Sequence, residues 1–86
     1  MDFNRKIGMR IKETRLERKL SREQVARRIG ITQQCIERYE KGEIDISVRR
    51  LMQISNVLNV GITYFLDEET FKHYVALQVK THLNNT

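Results

Sequence analysis

The sequence predicts an all-α fold of five helices followed by an additional C-terminal helix. Apolar residues recur at intervals of three and four along most of the chain, the spacing of one helical face. Helix start and stop residues punctuate those runs: Ser21, Thr32 and Ser47 stand before them, Gly30 and Gly42 after them. Proline is absent, glycine occurs only 4 times, and no segment shows the alternation of a half-buried strand.

Helix 1 is expected over about residues 3–18, because Phe3, Ile7 and Ile11 repeat every fourth position and Thr14 and Arg15 continue that face. Leu20 is a buried link. Ser21 then caps helix 2, with Gln24 at the capping-box spacing. Val25, Ala26 and Ile29 form its inner face, and Gly30 ends it in a left-handed cap. Thr32 caps helix 3, which carries Ile36 and Tyr39 inward and stops before Gly42. A loop over residues 42–46 leads to Ser47, the cap of helix 4. That helix places Val48, Leu51, Ile54, Val57 and Leu58 on one face. A short fifth helix with Ile62, Phe65 and Leu66 follows. Asp67, Glu68 and Glu69 suit the positive start of a sixth.

Length and composition narrow the function. Eighty-six residues fit one small domain. Cys35 is the only cysteine, so no disulfide can form within the chain, which fits a reducing cytoplasm. No apolar run reaches the roughly 20 residues that span a bilayer, and the first residues lack a secretion signal. The net charge of +5 is unevenly spread: residues 1–30 hold ten Lys/Arg against four Asp/Glu, and residues 51–86 hold two against three. A basic front half suits a polyanion, and a near-neutral rear half suits a different contact. No carboxylate pair, Ser-His-Asp set or glycine-rich phosphate loop appears, so catalysis is not expected. His73 and His82 are too far from Cys35 in sequence for a zinc motif, and no metal or cofactor is expected.

The stretch LSREQVARRIGITQQCIERYEKG, residues 20–42, is the most informative. It reads as two short helices joined by a tight glycine turn. One side is apolar; the other opens Thr32-Gln33-Gln34 and carries Arg38 a turn later. A glutamine amide can pair with adenine through two hydrogen bonds, and arginine can do so with guanine. Helix starts offer backbone N–H groups to phosphates. Residues 5–66 resemble the helix-turn-helix domain of the lambda-repressor and Cro type, the XRE family of bacterial and phage regulators. The residues that carry the resemblance are Leu20-Ser21, Val25-Ala26, Gly30-Ile31-Thr32-Gln33, Ile36 and Tyr39-Glu40-Lys41-Gly42, with Ser47, Leu51, Leu58 and Val60 later. The Thr32-Gln33-Gln34 opening is similar to the phage 434 repressor subgroup.

The resemblance implies that helix 3 lies in the major groove of double-stranded DNA, with Gln33, Gln34 and Arg38 as base readers. Ser21 and Arg22 at the start of helix 2 and Thr32 at the start of helix 3 are placed to hold phosphates, and Lys41 and Arg49 are the further phosphate contacts expected to compensate for acids in the loop after helix 3. The resemblance also pairs Arg15 of helix 1 with Glu40, fixing the angle of helix 3. Two departures stand out: Arg22 replaces a glutamine frequent in the family, and the loop after helix 3 reads Glu43-Ile44-Asp45-Ile46. Those acids would weaken DNA binding or push the loop outward.

Residues 1–66 are thus expected to form the DNA-binding domain and residues 67–86 a C-terminal helix for dimerisation or partner docking. Phe65, Phe71, Tyr74, Val75, Gln78, Val79 and His82 are the expected dimer interface. The same tail can instead fold back over helices 1 and 5. The function expected is a cytoplasmic transcriptional regulator, a repressor for example, binding an inverted repeat as a homodimer. The alternatives are an antitoxin with a toxin partner and a protein–protein adaptor.

Overall fold

A computed structural model describes residues 2–73, 75 and 76. Helix α1 spans Phe3–Glu17, α2 Arg22–Ile29, α3 Gln33–Lys41 and α4 Val48–Leu58. A 3-10 turn over Ile62–Tyr64 follows. A further helix, α5, covers residues 68–73 and is helical again at 75 and 76. No strand is present among the described residues.

The caps act as the sequence predicts. Gln24 N–H donates to Ser21 Oγ (3.0 Å) while Ser21 N–H donates to Gln24 Oε1 (2.7 Å), a complete capping box. Thr32 Oγ1 accepts from Cys35 N–H and Ser47 Oγ from Arg50 N–H. Gly30 and Gly42 end α2 and α3 with φ of 84° and 70°, the left-handed region where a side chain is strained. Asn59 closes α4 in the same way at φ 58°. Arg18 adds a stop that spacing did not reveal: its Nε donates to the Leu58 carbonyl (2.9 Å), tying the end of α1 to the end of α4.

The core forms where the apolar faces of α1, α2, α3 and α4 converge. Ile7, Ile11, Val25, Ile36, Leu51, Ile54, Leu58 and Phe65 are buried there. Each such side chain contributes about 1.5–3 kcal/mol by leaving water. Thr14 is also buried, and its hydroxyl donates to the Arg10 carbonyl (2.8 Å).

Gly8 decides how closely α1 and α3 approach. A Cβ there would stand 2.1 Å from the Tyr39 carbonyl oxygen and 2.7 Å from that of Glu40. The α1 backbone therefore lies directly on the last carbonyls of α3. Gly42 repeats the contact at the other end, where a Cβ would meet Arg5 Cα at 2.7 Å.

The expected short fifth helix is present as a 3-10 helix, with Tyr64 N–H donating to the Gly61 carbonyl and Phe65 N–H to that of Ile62, and one expectation that depends on it is corrected. So few residues separate the Asn59 cap from Asp67 that only one tight turn fits, and it aims both Phe65 and Leu66 inward. Phe65 is consequently fully buried within the monomer and has no surface to offer a second subunit.

The described part of the tail folds back onto α1. Asp67 caps α5 by accepting from Thr70 N–H (2.8 Å) and pairs with Lys6. Phe3 and His73 stack with ring centroids 4.3 Å apart. The expected interface residues Phe71 and Val75 remain exposed, at 51% and 44%. Tyr74, Gln78, Val79 and His82 lie outside the described residues.

Candidate nucleic-acid interface

α2 and α3 meet through Val25, Ala26 and Ile36, all buried, with Ile29 and Ile31 half-buried around the turn. Gly30 turns the chain with its N–H on the Ala26 carbonyl, as does Ile31 N–H. The two helices therefore form one unit whose inner side is apolar. On its outer side α3 presents Gln33, Gln34 and Arg38, all exposed. Gln33 and Gln34 occupy the first turn, and Arg38 follows at the i+4 position from Gln34, so the three lie on neighbouring parts of one helical face.

The charges on that face are nearly balanced. Lys41 Nζ lies 3.0 Å from Glu37, one helical turn away. The Lys41 hydrogen bond, and then its charge, hold the Glu37 carboxyl below its ordinary pKa. Arg38 Nε stands 3.9 Å from Glu43, with both side chains more than half exposed. Such exposed pairs hold weakly and can exchange partners. The other acid of the loop, Asp45, accepts from Asn4 of α1 (2.5 Å), and Ile46 beside it is buried. A concave surface runs between α3 and this loop, lined by Thr32, Gln34, Cys35, Arg38, Glu43 and Ile44. Cys35 is half-buried, and burial raises the pKa of its neighbour Tyr39.

Ser21, Thr32 and Arg49 are exposed. Ser21 and Thr32 accept their cap hydrogen bonds, which leaves each hydroxyl proton free for an outside acceptor. Arg49 sits on the first turn of α4 and lines a shallow depression with Ser47, Arg50 and Gln53.

Behind α3 stands a buried ion cluster. Glu40 accepts from Arg15 Nε (2.6 Å) and Nη2 (3.1 Å), a two-pronged pair across helices. Arg15 Nη1 donates to the Leu20 carbonyl (2.9 Å). The structure therefore brings together the expected pair, and the Glu40 side chain is only 1% exposed. It also adds a third member that spacing did not suggest: Arg22 Nε donates to Glu40 Oε1 (2.9 Å). Among the described residues no group of three or more His, Cys, Asp or Glu is placed to hold a metal ion. No helix among them is long and apolar enough to cross a membrane.

Comparison with known proteins agrees with this architecture. The helix-turn-helix family model matches residues 11–65. A transcriptional regulator in the ATPase CF(0) region of Rhodospirillum rubrum is 40% identical over 62 residues, covering 72% of this chain and 57% of the relative. An HTH-type transcriptional regulator of Rickettsia prowazekii is 43% identical over 61 residues, covering 71% of this chain and 47% of the relative. The chain thus spans about half the length of such relatives. The restriction-modification controller protein C.AhdI from Aeromonas hydrophila superposes with a TM-score of 0.70 at 22% identity, over 73% of this chain and 96% of that one. On the match to residues 11–65 and the geometry of α2 and α3, the chain belongs to the helix-turn-helix family, in its lambda-repressor and Cro type.

Proposed function

We propose that the chain is a sequence-specific DNA-binding transcriptional regulator that reads duplex DNA with α3. The observation that carries this is the exposed Gln33-Gln34-Arg38 set on a helix whose opposite side is locked into the core. Exposed amides and a guanidinium on a rigid helix fit the donor and acceptor pattern of base edges in the major groove. Ser21, Arg22, Thr32, Lys41 and Arg49 flank that set as phosphate contacts. Lys41 and Arg38 exchange Glu37 and Glu43 for DNA acceptors on binding. The names of the relatives, transcriptional regulators in several bacteria, support the same role.

The regulator acts as a homodimer on an inverted repeat. Phe71 and Val75, four residues apart on α5, leave an apolar strip in solvent on the part of α5 that turns away from the core. A second copy covering that strip would double the number of base readers.

In-vitro selection from randomised duplex DNA tests both statements. Wild type should enrich an inverted repeat, and Gln33→Ala should relax one position per half-site, with a loss of about 1–3 kcal/mol on the preferred base. Salt-sensitive binding with no enriched motif would move the assignment to an adaptor or toxin-binding role. Val75→Asp should yield monomers in sedimentation and weaken operator binding. A dimer that survives the change would place the subunit contact elsewhere.

A further inference from the structure

We propose that Arg22 is a positioning residue that couples capture of a DNA phosphate to the set of α3, by holding Glu40 with one edge of its guanidinium and the phosphate with the other. This rests on the reading of α3 as a DNA-binding helix. Arg15 already supplies Glu40 with a full two-pronged partner: Nε to Oε2 at 2.6 Å and Nη2 to Oε1 at 3.1 Å. The buried pair is neutral without Arg22. Arg22 then brings a second cation to the same carboxylate, its Nε 2.9 Å from Oε1, which leaves these three groups with one positive charge in excess, within electrostatic reach of the Glu37 carboxylate.

The exposures show where that charge points. Arg15 and Glu40 side chains are 7% and 1% exposed, whereas that of Arg22 is 34% exposed. Its Nη groups make no hydrogen bond to any described residue. A guanidinium is planar, with donors on more than one edge, so it can serve an internal carboxylate and an external oxyanion together. A phosphate diester oxygen on the outer edge would neutralise the excess charge. It would also polarise the Nε–H bond that grips Glu40. Glu40 belongs to α3, so phosphate capture on α2 is felt in the helix that reads bases. A lysine in the same place keeps the charge but has no planar fork, so it does not hold the carboxylate and the phosphate in one fixed geometry.

The test uses the full chain, a random-sequence DNA duplex, and the variants Arg22→Lys and Arg22→Gln. Both should fold, because Arg15 alone satisfies Glu40, and melting curves check this. The readouts are the salt dependence of binding and the side-chain Nε–Hε resonance of Arg15, which is too buried to touch DNA. In wild type that resonance should move when duplex is added. In Arg22→Lys the salt slope should be kept while the Arg15 resonance stays at its free position. In Arg22→Gln the slope should fall by about one per chain. An Arg15 resonance that stays still in wild type, while the Gln33 and Gln34 amides move, would leave DNA binding intact and overturn the coupling. An equal Arg15 shift in wild type and Arg22→Lys would also overturn it. If duplex moves neither Arg15 nor the Gln33 and Gln34 amides in wild type, both the DNA-binding reading and the coupling fall.

Discussion

α3 and α5 are held against the same first helix by different means. α3 lies under α1 with backbone touching backbone at Gly8 and Gly42, and a buried carboxylate binds it to Arg15 and Arg22. α5 meets α1 through a half-buried ion pair, Lys6 with Asp67, and a stacked ring pair, Phe3 with His73. Burial makes the first contact strong: an ion pair kept from water cannot lose one partner cheaply, whereas a pair that water still reaches is screened and holds less firmly. The reading helix is thus fixed to the body, and the tail is fastened by contacts that solvent and salt can compete for.

The most direct way to break the first half of this comparison is Gly8→Ala. The new methyl would overlap the Tyr39 and Glu40 carbonyls, so α1 must lift off α3. Overpacking against backbone should cost about 3 kcal/mol or more, against about 1 kcal/mol of gained helix propensity. Chemical denaturation measures the loss, and a variant as stable as wild type would show the helices slide freely. Glu40→Ala should cost at least as much, at about 3–5 kcal/mol, because it leaves Arg15 buried without its carboxylate. Its site-selection profile should change less than its melting curve. An unaltered melting temperature would mean that the cluster does not hold α3.

The smaller effect sharpens the second half. The Lys6 hydrogen bond, then that of the Thr70 N–H, hold the Asp67 carboxyl well below the usual carboxylate range. A depressed pKa in the folded chain means stability that is present above the ordinary carboxylate range. It is lost as pH falls below that range, through the folded value. Acid should therefore loosen α5 before it unfolds α1–α4, and Asp67→Asn should do the same at neutral pH. Hydrogen exchange resolves the two: amides of α5 should open first while those of α3 stay protected. Simultaneous opening of both would erase the distinction between tail and body.

What the sequence revealed follows the range of each interaction. Ser21, Thr32, Ser47, Gly30 and Gly42 act within a few residues of themselves, so their roles were visible in local spacing. The exposed Gln33, Gln34 and Arg38 could be read because the apolar period of α3 defines which side is outside. The second partner of Glu40 was hidden, because Arg22 stands 18 residues away and meets it only after α2 crosses α3. Lys6 and Asp67 are separated by 61 residues and carry no pattern that pairs them. Gly8 gave no signal either: a glycine inside a helical run registers only as a weak helix former, and the carbonyls it admits belong to another helix. Phe65 misled for the opposite reason, since an aromatic beside the tail reads equally well as interface and as core.

The bare α1 surface at Gly8 also bears on how such a protein changes its target. The height of α3 above the body is set by main-chain atoms, which every residue shares, and not by the side chains that face outward. Gln33, Gln34 and Arg38 can be exchanged for other readers without disturbing that height, because none of them contributes to the packed side of the helix. Specificity is therefore free to drift, or to be redesigned, on a platform whose geometry is not rewritten each time.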